Sequence, residues 1–266
     1  MDWLFVKSLT RFCVALARTS LKSATADRAA FGLELTFMAL NNFVFFVFWW
    51  ALFLKVPNIR GQALADVADL FGVVSIGYGL HVVFAGGARE LSRMIMDGEI
   101  DTYLTQPKPT LLAVLGSRSQ ASGVGDALSG AILIALFGHL SLSRVPFVVL
   151  AGLASAAVLT ASVTMVSALA FWLGRVDALE RQLFETLLSF SLYPERIFGV
   201  GLKFVLYTLV PAGFIGHMPA RLISAPSLGA VAWTSAAAFG YLMLAGWLFR
   251  TGLRRYASSN HFGIHG

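Results

Sequence analysis

Apolar runs long enough to cross a bilayer constrain this chain more than anything else in it. Residues 31–54, 66–88, 119–140, 146–172 and 229–250 are each such a run, and a hydrocarbon core about 30 Å thick needs about 20 mainly apolar residues per helix. With no water to bond exposed N–H and C=O groups, segments of this kind fold as helices that satisfy their own backbone. The rest of the composition agrees: 57% of the residues are hydrophobic and 13% charged, against about a quarter charged in a soluble domain. The expected fold class is therefore an all-α integral membrane protein.

Residues 174–228 are harder to parse. Asp177, Glu180, Arg181 and Glu185 make the first part amphipathic, and Pro194, Pro211, Pro219 and Pro226 interrupt the rest. Two readings stand. Either 197–217 is a plain fifth span, or 176–193 is a short polar span followed by a re-entrant hairpin. Both give six transmembrane helices in one membrane domain covering 1–266, without a soluble domain or an inverted repeat.

Lys and Arg set the orientation. With the N-terminus inside, the inner segments hold 14 of the 20 basic residues, and the outer ones keep Lys55, Arg60, Arg144, Arg196, Lys203 and Arg221. Both termini are expected to be cytoplasmic. Residues 1–28 carry Lys7, Arg11, Arg18 and Lys22 among Trp3, Leu4, Phe5, Leu9 and Phe12, the pattern of a helix lying in the membrane interface. The same basic residues interrupt the apolar core that a cleavable signal peptide would need.

Several chemistries find no footing. Cys13 is the sole cysteine, so a disulfide within the chain is excluded. No G-x-x-x-x-G-K-[ST], H-E-x-x-H or G-x-S-x-G occurs, and the five histidines are scattered; no catalytic residue and no metal ligand is assigned. Juxtamembrane basic residues account for the net charge of +6 without a nucleic-acid partner. Ionisable or polar residues inside spans are costly and thus candidates for function. Glu34, Asn41, His81 and Asp126 are the candidates for a translocation pathway, with Asn42 beside them. Gly72, Gly77, Gly79, Gly86 and Gly87 suggest close helix packing.

The most charged stretch, R-E-L-S-R-M-I-M-D-G-E-I-D-T-Y-L-T-Q-P-K-P at 89–109, lies between the second and third spans. Leu91, Met94, Ile95, Ile100, Tyr103 and Leu104 supply apolar anchors, while Arg89, Glu90, Arg93, Asp97, Glu99 and Asp101 are expected to face outward. Gly98 allows a sharp reversal, and Pro107 with Pro109 stops a helix before the next span. The pattern predicts helix, turn and helix at the cytoplasmic surface. Mixed charge on a compact element suits docking to a protein better than binding lipid.

The runs G-E-I-D-T-Y-L-T-Q-P-K-P-T-L-L-A-V-L, S-L-Y-P-E-R-I-F-G-V-G-L-K-F-V-L-Y-T-L-V-P-A-G-F-I-G-H-M-P-A and the late G-L-R-R-Y-A-S-S, in this order, resemble the six-span membrane permeases of ABC-2 type exporters. The resemblance covers about 30–260. It implies a permease subunit that pairs with a second permease, identical or related, above two copies of an ATPase subunit that bind the ATP and Mg. It also implies a bacterial inner-membrane location, and a coupling segment at 89–110 carried by Arg89, Glu90, Arg93, Asp97, Gly98, Glu99, Asp101, Leu104 and Pro107. It favours a re-entrant hairpin at 194–221. The readings from other classes are a lipid-modifying membrane enzyme, with Asp97, Glu99 and Asp101 as a divalent-ion cluster, and an ion-driven secondary transporter.

Overall fold

A computed structural model describes residues 28–256, apart from 57, 59, 60, 119, 121 and 209 and the side chains of 28, 30, 31 and 34. The expected interfacial helix therefore lies outside the described residues, save for Arg28. Every long element among them is a helix. The main ones are α1 (Arg28–Lys55), α2 (Leu64–Ala85), α3 (Leu91–Met96), α4 (Asp101–Leu104), α5 (Thr110–Leu115) and α6 (Ser122–Phe137). They are followed by α7 (Val145–Ala168), α8 (Ala170–Leu173), α9 (Asp177–Leu192), α10 (Val200–Thr208), α11 (Met218–Ser224) and α12 (Leu228–Leu253).

Four helical stretches are long and apolar enough to cross a membrane: Leu35–Lys55, Leu64–Met96, Leu142–Leu173 and Leu228–Leu253. Two bent pairs raise the number to six if each is one span. One falls at 119–140, which the sequence marks as a clear run, and the other within 174–228, where the pattern is hard to parse. The apolar run at 119–140 becomes the 16-residue α6, and the helical turns before it, 110–118, meet it at 83°. A 16-residue helix is about 24 Å long, short of the hydrocarbon thickness. In the second place, 197–217 is not one straight helix. Helix α10 ends before Pro211, a π-turn follows at Gly213–His217, and the two arms lie at 82°. Pro211 has no N–H to donate and its ring crowds the preceding turn, so a break is expected there. Helix α9, by contrast, is continuous over 16 residues and keeps a polar side, with Arg181, Gln182, Glu185 and Ser189 all exposed.

Helix α2 is the axis of the bundle. It packs most extensively on α6 and also on α7, while α12 lies against the far side of α7 and α1 against α6. Burial follows that order. Most of α2 is enclosed, including Val67, Ala68, Phe71, Val73 and Val74, whereas α1 and α12 leave Phe37, Val44, Phe48, Trp233, Phe239 and Trp247 exposed. In a bilayer these faces meet acyl chains or another subunit, so their exposure costs nothing. Phe46, Trp49 and Phe53 of α1 reach inward to Phe71 and Leu133, with Phe46 and Phe137 ring centroids 5.0 Å apart, a separation at which aromatic pairs attract beyond their burial.

The α10–α11 segment is tied down by charge. Glu195, half-enclosed, accepts from Arg221 at 2.7 Å and lies 3.7 Å from Lys203. Two basic residues that an apolar hairpin would otherwise leave uncompensated are thus paired to one carboxylate. This cluster sits by the N-terminal end of α2, beside Gln62 and Asp66, some 30 Å of helix away from the charged 89–104 stretch.

Candidate functional site

The charged stretch begins where α2 runs out. A short 3-10 turn, Gly86–Glu90, bends the chain against α5, and a Cβ on Gly87 would collide with the Val114 carbonyl, so only glycine permits that approach. Beyond it, Leu91, Met94, Ile95 and Ile100 are all buried, packed with Val114, Ala170, Val176 and Phe249. Gly98 adopts φ +75°, the left-handed conformation that glycine takes without penalty. Across it the Ile100 N–H donates to the Met94 carbonyl at 3.2 Å, and just before it the Asp97 N–H closes α3 on the Arg93 carbonyl at 2.8 Å. The two short helices α3 and α4 thereby form a hairpin seated on the ends of α5, α8 and α12.

Arg93 is the hub of its charged side. The guanidinium donates to Glu90 at 2.9 Å and Glu99 at 3.0 Å and lies 3.7 Å from Asp97; hydrogen bonds to Glu90, then Glu99, hold it above its ordinary pKa. Glu99 also accepts from Arg118 at 3.3 Å, Asp97 from Arg175 at 3.3 Å, and Ser92 donates to Asp177 at 3.1 Å. Exposed pairs of this kind add little stability each. Their effect is geometric: they lash the hairpin to the turn after α5 and to the start of α9. Asp97 and Glu99 are therefore answered by arginines rather than standing as an open carboxylate cluster. Arg89 is turned the other way, its guanidinium carbon 4.4 Å from the Phe184 ring centroid. Asp101 is half-buried, while Met96, Leu104 and Pro107 are exposed.

The residues nominated for a pathway separate into two groups. Asn41, Asn42 and Asp126 line one cavity of ≈ 630 Å³ between α1, α2, α6 and α9, together with Ser75 and Tyr78. Asn42 donates from Nδ2 to Asp126 Oδ1 at 2.9 Å and Ser129 Oγ at 2.8 Å, while Asn41 is exposed. His81 is apart from this cavity: it is buried, with Nδ1 2.9 Å from Thr160 Oγ1 of α7. Glu34 lies in α1, its side chain outside the described residues. The sequence did not point to Ser75, Tyr78 and Ser129. The α6 spacing Asp126–Ser129, one helical turn, is the signal that could have found the last of them.

Sequence reasoning also missed Asp69. It is wholly buried in α2, where it accepts from the His139 N–H at 3.0 Å and lies 2.7 Å from His139 Nδ1.

The Asn42 bonds carry a direct expectation. Asn42→Ala removes both donors and leaves a buried carboxylate short of a partner, so it should lower the stability of the purified protein by about 1 kcal/mol, the scale of interhelical bonds in membranes. Asn41→Ala should leave it unchanged. A double-mutant cycle of Asn42→Ala with Asp126→Ala, read by thermal unfolding in detergent, checks the coupling.

Residues 39–260 match a family model described as ABC-2 family transporter protein. No curated protein matches the chain, and no solved structure does.

Proposed function

The chain belongs to the ABC-2 transporter family, a multi-pass membrane permease, and on that premise we propose that it is half of an ATP-driven exporter. In this reading two permeases, identical or related, pair in a bacterial inner membrane with both termini in the cytoplasm. Two ATPase subunits dock beneath them and bind the ATP and Mg that this chain has no phosphate loop to hold. The 89–110 segment is the coupling element, with Arg89, Glu90, Arg93, Asp97, Gly98, Glu99, Asp101, Leu104 and Pro107 as its parts.

The observation that carries this reading is how the hairpin is built. Its apolar side is buried on the ends of several helices, and its charged side is cross-tied to Arg118 and Arg175. A push on it would therefore travel into α2 and α9 as one body rather than be lost in a loose loop. ATP closing the two partner subunits would supply that push, and the permeases would shift between packings according to their difference in affinity for the ATP-bound pair. The exposed polar side of α9, Gln182, Glu185 and Ser189, would face the second permease or the pathway, since such groups are costly against lipid. Asn41 and Asp126, on one cavity, are the pathway residues best supported by position. His81, against Thr160 of α7, and Glu34 of α1 keep the same proposed role outside this cavity.

Three measurements test the reading. A tagged chain isolated from its native membrane should bring a P-loop ATPase with it, and transport in liposomes should require that subunit. For the orientation, Met96→Cys in a Cys13→Ser background should react with an impermeant maleimide only after lysis, and Leu142→Cys, 91% exposed, in intact cells. Labelling of position 96 from outside, or unaided turnover of a substrate by the isolated chain, would overturn the proposal.

A further inference from the structure

Between the end of α2, the turn after α5 and the first turns of α9 lies a cavity of ≈ 490 Å³. Unlike the other large cavities it is lined mainly by charge: Arg89, Arg118 and Arg181 with Glu90 and Glu180, against Val82 and Phe184. Two of those five charges are ion-paired. Glu90 is held by Arg93, and Arg118 is held by Glu99. The Arg89 guanidinium carbon lies 4.4 Å from the Phe184 ring centroid, a cation–π contact that satisfies none of its five N–H donors. Among the described residues neither Arg89 nor Arg181 has a carboxylate within ion-pair distance. The cavity thus holds two exposed guanidiniums with no ion-paired carboxylate, beside one remaining carboxylate, buried Glu180, which Arg89 attracts without an ion pair.

A planar fork of donors fixed against an aromatic face is the geometry that grips tetrahedral oxyanions, commonly with two parallel bonds. We propose that this cavity binds a phosphate-class anion between Arg89 and Arg181, with Val82 and Phe184 bounding its apolar side. The anion comes either from the headgroup of an anionic lipid or from a soluble phosphate. The site goes beyond the coupling role of the hairpin and does not depend on it, because it is read on the permease without its ATPase.

The full chain, purified and stripped of lipid, is challenged with phosphatidylglycerol, with phosphatidylcholine and with inorganic pyrophosphate, and binding is read by native mass spectrometry and thermal shift. A lipid source predicts that phosphatidylglycerol binds in preference to phosphatidylcholine. The Arg89→Ala/Arg181→Ala variant should then lose about tenfold in that affinity, the scale of losing charge-assisted bonds. A soluble source predicts that pyrophosphate stabilises the wild type and not that variant. Arg175→Ala, which removes an exposed arginine outside the cavity, should bind as the wild type does. Arg181→Ala alone touches no paired group, so it keeps the test valid should the double variant fold poorly; it should weaken binding severalfold. Binding of neither probe, or binding that both arginine variants leave intact, would overturn the proposal.

Discussion

Gly79→Leu is expected to leave roughly a tenth or less of the monodisperse protein that the wild type yields, whereas Gly240→Leu should be harmless. Helices α2 and α6 cross so closely that their glycines face each other in two layers. A Cβ on Gly79 would run into the Gly123 carbonyl and lie 2.6 Å from the Ala127 nitrogen; one on Gly130 would lie 2.5 Å from the Gly72 carbonyl and 2.9 Å from Ser75 Cβ. These neighbours are mostly backbone and cannot swing aside. In lipid, where no hydrophobic force drives helices together, small residues earn close backbone approach and the packing that follows from it. Extra methylenes in a packed core cost about 1–3 kcal/mol when side chains can adjust; here the helices themselves must part, so the loss should exceed that. Gly240 on α12 has nothing within 4 Å of its would-be Cβ. Size-exclusion profiles and thermal unfolding of the two variants give the comparison. Equal behaviour of Gly79→Leu and Gly240→Leu would mean that α2 and α6 do not meet as described.

The same pair of helices shows what the sequence makes legible. Spans declare themselves through length and hydropathy, because the bilayer imposes both, and each of the five clear runs corresponds to a helix whose ends lie within about four residues of those expected. The hairpin was legible too, from Gly98, the two prolines and the alternation of apolar anchors with charge. Gly72 and Gly79 announced a packing face, but nothing local to them names Gly123 and Gly130 as the opposite layer. The site has the same limit. Arg93 could be matched to Glu90, Asp97 and Glu99, its neighbours in sequence, yet the ties to Arg118 and Arg175 depend on where α5 and α9 come to rest. Asn42 and Asp126 are 84 residues apart. Bends escape for a different reason: hydropathy is blind to direction, so the 83° turn before α6 looks the same as a straight apolar run.

Those ties sharpen the proposed docking role into a second large effect. Since Glu90, Arg93, Asp97 and Glu99 are occupied with one another and with Arg118 and Arg175, what the hairpin offers a partner is its exposed apolar side chains. Met96 and Leu104 are 38% and 39% exposed, and Pro107 is exposed as well. Apolar side chains at the centre of an interface commonly contribute about 1–2 kcal/mol each, so Met96→Asp with Leu104→Asp should weaken capture of the ATPase by about tenfold or more. The unfolding temperature should barely move, because neither residue fills the core. Met94→Asp, by contrast, places a carboxylate at a fully buried site and should cost stability first and ATPase binding as a consequence, since an unpaired buried charge is strongly destabilising. Measuring ATPase retention and thermal stability side by side for the two variants separates docking from folding. If the Met96→Asp/Leu104→Asp variant kept its ATPase and its ATP-driven transport, force would have to enter through some other part of the permease, and the cross-tied hairpin would be a structural brace.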